Sequence, residues 1–297
     1  MFGYFVRKES MWFKPGSQQP YRLSRTRIDN YVKCKRCFWM EERFGVKKPD
    51  SFPLTLNIAV DALLKKEFDV HRAAGTPHPM MKSYHIDAIP FAHEKMDEWR
   101  HNFTGVQTIH KPTNFSVFGA VDDIWINPQH ELIVVDYKAT SKESTPTLDG
   151  NLGEQYRRQM EVYQWLLRQN GFPVSDTGYF VYVNGRKDVE AFDGKLEFSV
   201  HVLPCLGISE WIDPTLLEIK ELLMSDTIPP TSVACEYCPY REAAGKTLQR
   251  MSARGAVVAG IVAVATPSPA PDVARAVSVK RAKRSIEKDE NPTAPMF

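Results

Sequence analysis

Apolar side chains recur along this chain at two different periods, and the switches between them mark out its elements. Over residues 24–44, Ile28, Tyr31, Val32, Phe38 and Trp39 return at helical intervals, and Ser24 is placed to cap the helix they predict. Residues 54–70 repeat the pattern, with Leu56, Val60, Leu63, Leu64 and Phe68 expected to face inward. Residues 116–139 change to strand-like runs on either side of Asn127-Pro128-Gln129-His130, which predicts a hairpin. Residues 154–169 return to helical spacing through Tyr156, Met160, Tyr163, Trp165 and Leu167, and strands are expected at 178–184 and near 197–202. The order helix, helix, strands, helix, strand, helix predicts an α/β core, a mixed central sheet flanked by helices.

The ends of the chain read differently. Residues 1–20 look like a loose lead-in, and 21–250 carry the helix and strand signals without a clear linker. From 251 to 297 the composition shifts to Ala, Pro, Ser and Lys. Thr266-Pro267-Ser268-Pro269-Ala270-Pro271 and Lys280-Arg281-Ala282-Lys283-Arg284 cannot build a core, so this stretch is expected to be a disordered tail. The longest apolar run, 255–265, is too short for a membrane span, which needs about 20 such residues. The first residues lack a basic segment followed by an apolar one, so a cytoplasmic protein with no membrane association is expected.

Composition adds little: 43% hydrophobic, 25% charged and a net charge of +2 are ordinary for a globular protein. Charge distribution adds more. Arg22, Arg25, Arg27, Lys33, Lys35, Arg36, Arg43, Lys47 and Lys48 are opposed only by Asp29, Glu41 and Glu42. This stripe suits either a phosphate track or a solvated helix face.

The hairpin carries the candidate chemistry. Side chains on a strand alternate faces, so Asp136 and Lys138 share one. If Pro128, Gln129 and His130 form the turn, Asn127 pairs with Glu131, and Asp122 falls opposite Asp136 on that same face. Paired Cβ atoms lie about 5 Å apart, close enough for two carboxylates to hold one cation. A slip of one residue would separate them. The flanks Leu132, Ile133, Val134 and Val135 are strongly apolar, and two like charges among them require compensation. Mg²⁺ or Mn²⁺ suits such oxygen ligands. Gly119, three residues before Asp122, suggests a close approach by another backbone or a ligand.

These residues resemble the PD-(D/E)XK nuclease superfamily: Gly119-Ala120-Val121-Asp122, then Val135-Asp136-Tyr137-Lys138, then Gln159-Met160-Glu161-Val162-Tyr163 on the next helix. The nearest likeness is to RecB-type and CRISPR-associated iron–sulfur exonucleases, over about Leu23 to Arg241. The resemblance implies a restriction-endonuclease-like core and a metal-dependent DNA nuclease, of exonuclease type, serving recombination, repair, or CRISPR or phage DNA processing. It implies Asp122, Asp136 and Tyr137 as the metal-binding set, Lys138 as the catalytic amine, and Gln159 and Tyr163 as its support. DNA is the implied partner, with a separate helicase or a recombination or CRISPR-adaptation protein beside it. The other reading is a catalytically inactive nucleic-acid-binding module. One departure stands out. Relatives carry a Gly and, four residues on, a metal-binding His; here Asn57 and Asp61 stand there, and Asp61 is either a further metal ligand or an acid on a helix surface.

Cys34-Lys35-Arg36-Cys37 and Cys235-Glu236-Tyr237-Cys238 supply four thiolates, enough for a tetrahedral zinc or an iron–sulfur cluster, from segments about two hundred residues apart. Their flanks resemble the cysteine segments of the iron–sulfur nucleases, which implies a 4Fe–4S cluster acting as a staple. Those relatives use one N-terminal and three C-terminal cysteines, so the two-plus-two arrangement keeps Zn²⁺ as the alternative. Cys205, in apolar company, is expected to be a buried small residue.

Overall fold

The computed structural model describes residues 6–49 and 54–253. Residues 1–245 form one compact unit; in the second, 246–297, the described residues carry the last helix onward to Ala253.

Strand β1 (Tyr21–Ser24) runs into helix α1 (Arg25–Lys33), which is followed by α2 (Lys35–Phe44), α3 (Thr55–Ala74) and the short α4 (Pro79–Ser83). Then come β2 (Ile89–Pro90), α5 (Met96–Arg100), β3 (Val106–His110), β4 (Phe115–Gly119), β5 (Asp123–Ile126) and β6 (Leu132–Thr140). Helix α6 (Gly150–Gln169) leads to β7 (Thr177–Gly185), β8 (Phe198–Leu206), α7 (Ile212–Met224) and α8 (Tyr237–Ala253). Five strands form the main sheet in the order β2-β5-β6-β7-β8, and three form a second sheet, β1-β4-β3. β6 and β7 run parallel, with α6 as their crossover; the other neighbours in the main sheet are antiparallel. This is the mixed, helix-flanked α/β core that the periodicity predicts.

Alternation along β6 divides the core. Leu132 and Val134 point to the side of α6, where Met160, Val162, Tyr163, Leu166 and Leu167 pack with Phe180. Ile133, Val135 and Tyr137 point to the opposite side, against Leu64 and Phe68 of α3 and Trp125 of β5. β6 is buried on both faces, which is why its sequence reads as a continuous apolar run rather than an alternating one.

Several expectations are corrected. The helix expected over 24–44 is two helices. Cys34 is extended (φ −162°, ψ 104°), ending α1 and starting α2 at once. Ser24 caps α1 as foreseen, accepting from the Arg27 N–H at 3.4 Å. Of the five apolar residues expected to face inward from α3, Val60, Leu64 and Phe68 pack against the sheet, while Leu56 and Leu63 are more than half exposed. The first arm of the hairpin is broken at 120–122, so that β4 joins the small sheet and β5 the large one. The lead-in packs rather than hangs loose: Phe13 is buried in the core, and Arg7 pairs with the buried Glu42 at 3.2 Å. Cys205 is buried as expected. The tail predicted from 251 lies, beyond Ala253, outside the described residues.

Candidate active site

The turn at 128–130 closes as the pairing requires. Asn127 N–H donates to Glu131 O at 3.1 Å, and His130 takes a left-handed conformation (φ 61°). The pairs Asp123↔Val135, Ile124↔Val134, Trp125↔Ile133 and Ile126↔Leu132 follow. Continued by one residue, this register sets Asp122 opposite Asp136. Asp122 Oδ2 accepts from the Tyr137 backbone N–H at 2.9 Å, which holds it to that edge.

Asp136 is fully buried, and both of its oxygens are engaged. Oδ1 accepts from Gln159 Nε2 at 2.7 Å, and Oδ2 from Lys138 Nζ. Gln159 Oε1 accepts from Lys138 Nζ at 3.3 Å, and Gln159 Nε2 also lies 3.1 Å from the Tyr163 hydroxyl. Gln159 and Tyr163, one turn apart on α6, therefore brace the acid and the amine together. The Lys138 ammonium sits 4.7 Å from the centre of the Tyr156 ring. Burial pushes the Asp136 carboxyl up to about 7; Lys138 opposes the shift and the Asp122 charge adds to it. Burial works against the Lys138 charge, but Asp136 and Asp122 overcome it and raise its pKa.

Gly119 is where α6 passes. A Cβ there would lie 2.7 Å from Cε1 of Tyr163 and 3.3 Å from Cβ of Arg25, so the missing side chain makes room for the bracing tyrosine.

Asp61 points to the same edge from α3. Its Oδ2 lies 2.8 Å from Lys65 Nζ, which also reaches Asp122 Oδ1 at 3.5 Å. Burial raises the Asp61 carboxyl, and the neighbouring Asp122 charge raises it further. Asn57 ties the start of α3 to the sheet by donating to Ala139 O at 2.9 Å.

Tyr137 is brought to the site by its backbone. Its side chain follows the alternation to the other face, where the hydroxyl donates to Asp123 Oδ2 at 2.7 Å. Asp123 is fully buried there between Arg72 and Arg100. Of the two adjacent aspartates, Asp122 faces the site and Asp123 is a structural counter-ion.

Two site residues escaped sequence reasoning. Lys65 had a usable signal, four residues beyond Asp61 on the same helix face. Arg25 had only its place in the basic stripe. Its guanidinium lies near the Tyr163 ring, its positive charge is felt at Asp136, and its buried Nε has no hydrogen-bond partner. Much of that stripe is bonded within the fold. Arg27 pairs with Glu42, Arg36 donates to Pro229 O, Arg43 pairs with Asp226, and Lys33 pairs with Asp29.

The four cysteines meet in a separate buried cluster. Cys34 and Cys37 flank the first turn of α2, and Cys235 and Cys238 lie at the start of α8. Their sulfurs all lie within 4.8 Å of one another, with Cys37 3.5 Å from Cys235 and 3.4 Å from Cys238, and Cys34 3.7 Å from Cys238. Burial opposes ionisation of Cys34, yet hydrogen bonds from the Ser232 and Cys37 backbone and from Cys235 and Cys238 bring it down to about 7. Burial and the neighbouring sulfurs raise Cys37. Four converging thiols, one of them poised to ionise, form a donor set able to bind a soft metal.

A mixed sheet carrying two facing acids, a lysine two residues beyond the second, and a bracing glutamine and tyrosine defines an α/β protein of the nuclease type. The chain belongs to the PD-(D/E)XK nuclease superfamily, whose family model matches residues 22–243. No curated protein matches it. Members of this superfamily are usually nucleases. No helix among the described residues is long and apolar enough to cross a membrane.

Proposed function

We propose that this protein is a Mg²⁺- or Mn²⁺-dependent DNA nuclease that hydrolyses phosphodiester bonds, with Asp122, Asp136 and the Tyr137 carbonyl as metal ligands. The observation that carries this is the pairing of Asp122 with a fully buried Asp136 beside Lys138. A carboxylate denied water and set against a second acid is stable as an anion only with a cation present. The oxygen donor set fits a hard divalent ion, which when bound lowers the pKa of a water and neutralises phosphoryl charge. Lys138 is placed to orient the attacking water and to stabilise negative charge as it develops on the phosphate oxygens. Gln159 and Tyr163 hold Lys138 and Asp136 in position.

The test is cleavage of labelled DNA with Mg²⁺ or Mn²⁺ by wild type, Asp136→Ala and Lys138→Ala. Wild type should cut and both variants should fall by at least about a hundredfold. A wild type that binds DNA but cuts neither DNA nor RNA would leave the reading of an inactive binding module. The resemblance to RecB-type enzymes supports exonuclease action. End-labelled linear strands should then be degraded while a closed circle of the same sequence survives.

For the cysteine cluster we favour one tetrahedral ion, with zinc as its occupant. A Zn–S bond of about 2.3 Å places neighbouring sulfurs about 3.8 Å apart, close to the spacings here. A cubane cluster, with its own irons and sulfides between the cysteines, spreads them wider. Purification without oxygen should give a colourless protein with zinc at one equivalent; a brown protein containing iron would reverse this assignment.

A further inference from the structure

Three acids converge at this edge of the sheet, and three acids sharing one central carboxylate are enough for two ions. Asp122 and Asp136 would hold one; Asp61 and Asp122 would hold the other. The second position is not open. The Lys65 ammonium stands in it, 2.8 Å from Asp61 Oδ2 and 3.5 Å from Asp122 Oδ1. An isolated Asp–Lys pair one turn apart is ordinary on a helix surface. This one differs in reaching a third group on another element, and in the Lys65 side chain being only 23% exposed.

We propose that Lys65 serves as the second cation of the site, limiting it to one divalent ion where its carboxylates would otherwise take two. The proposal rests on the nuclease reading and concerns how that site is loaded. An ammonium and a divalent ion compete for the same oxygens, and paired ions in two-metal sites sit about 4 Å apart, near the reach of a lysine across this gap. Lys65 thus supplies, from the chain itself, a fixed positive charge beside Asp122.

The test counts ions rather than turnover. The full-length, zinc-loaded protein is titrated with Mn²⁺, and the free ion is followed by electron paramagnetic resonance. Lys65→Met, which keeps a stem like the lysine's but lacks its ammonium, should bind one more Mn²⁺ per chain than wild type. Lys65→Gln should do the same, and covers the case in which Met fails to fold. Lys65→Arg, which keeps the charge, should match wild type. An unchanged ion count in both neutral variants, or a gain in Lys65→Arg as large as theirs, overturns the proposal. Cleavage by wild type is scored separately, so a folded protein that loads Mn²⁺ as foreseen and cuts no nucleic acid would defeat the nuclease reading and leave the ion count standing.

Discussion

A carboxylate shut away from water favours its neutral form, and Asp136 is such a group. Its pKa rises from 3.8 to about 7 in the fold, chiefly through burial. A group raised in this way stabilises the metal-free fold fully below its unfolded value and loses that contribution as pH climbs through about 7. A bound divalent ion reverses the preference by favouring the anion. Thermal unfolding should therefore show a stabilisation by Mn²⁺ that is small near pH 5 and grows to a few kcal/mol by about pH 8. Asp136→Asn, which carries no charge to compensate, should flatten the dependence; a Mn²⁺ effect equal at both pH values and in both proteins would break the link between this acid and the ion. Arg25 makes a second residue-scale prediction. A guanidinium beside the acids with a buried, unpartnered Nε suits a phosphate oxygen of the strand. With Ca²⁺ in place of Mg²⁺ to suppress cutting, Arg25→Ala should weaken DNA binding at every sequence and lower the salt slope by about one. An unaltered slope would remove Arg25 from the phosphate path.

At the scale of elements, the site depends on how closely α6 lies against the start of the hairpin. Gly119→Ala puts a methyl group into the Tyr163 ring. Urea unfolding should show a loss of about 1–3 kcal/mol, with cleavage reduced because Gln159 shifts with the helix; unchanged stability would mean that α6 gives way freely. The strand period and the three-residue turn were enough to place Asp122, Asp136 and Lys138 together, because side-chain alternation and hairpin register are local properties of the chain. Gln159 and Tyr163 were legible only through the family resemblance; the fold sets them one turn apart on α6, within hydrogen-bond reach of each other. What was not legible depends on packing between distant segments. Nothing near Cys34 announces that the chain there turns from one helix into another; the reason is a partner cluster two hundred residues away. The split of the hairpin's first arm, and the separate fates of Asp122 and Asp123, rest on Arg72 and Arg100 arriving from α3 and α5 to hold Asp123. Leu56 and Leu63 show the converse limit: apolar spacing marks a helix face wider than the strip its neighbour covers.

Across the whole molecule the cysteine cluster joins the first helices to the last. The contacts around it already knit the same two regions: Arg36 donates to Pro229 O at 2.8 Å, Arg43 to Leu223 O at 2.6 Å, and Trp39 to Ser225 O at 3.2 Å. These bonds define where the ends meet, but none survives unfolding. A metal held by both Cys-x-x-Cys pairs does more, because it joins points 201 residues apart in sequence and restricts the unfolded chain if it stays bound there. By analogy with a covalent cross-link, closing a loop of this length is worth about 5 kcal/mol, the dependence on length being slow. In a chain of this size that corresponds to roughly 10–20 °C in Tm. Stripping the metal with a chelator, or replacing Cys238 with Ser, should lower Tm by that order. Cys205→Ala, a change at the buried cysteine outside the cluster, should cost only about 1 kcal/mol. Scanning calorimetry on the four samples separates the cases. If the stripped protein and Cys238→Ser melt with wild type, the converging sulfurs hold no ion that matters to the fold, and the two regions are joined by their hydrogen bonds, ion pairs and packing.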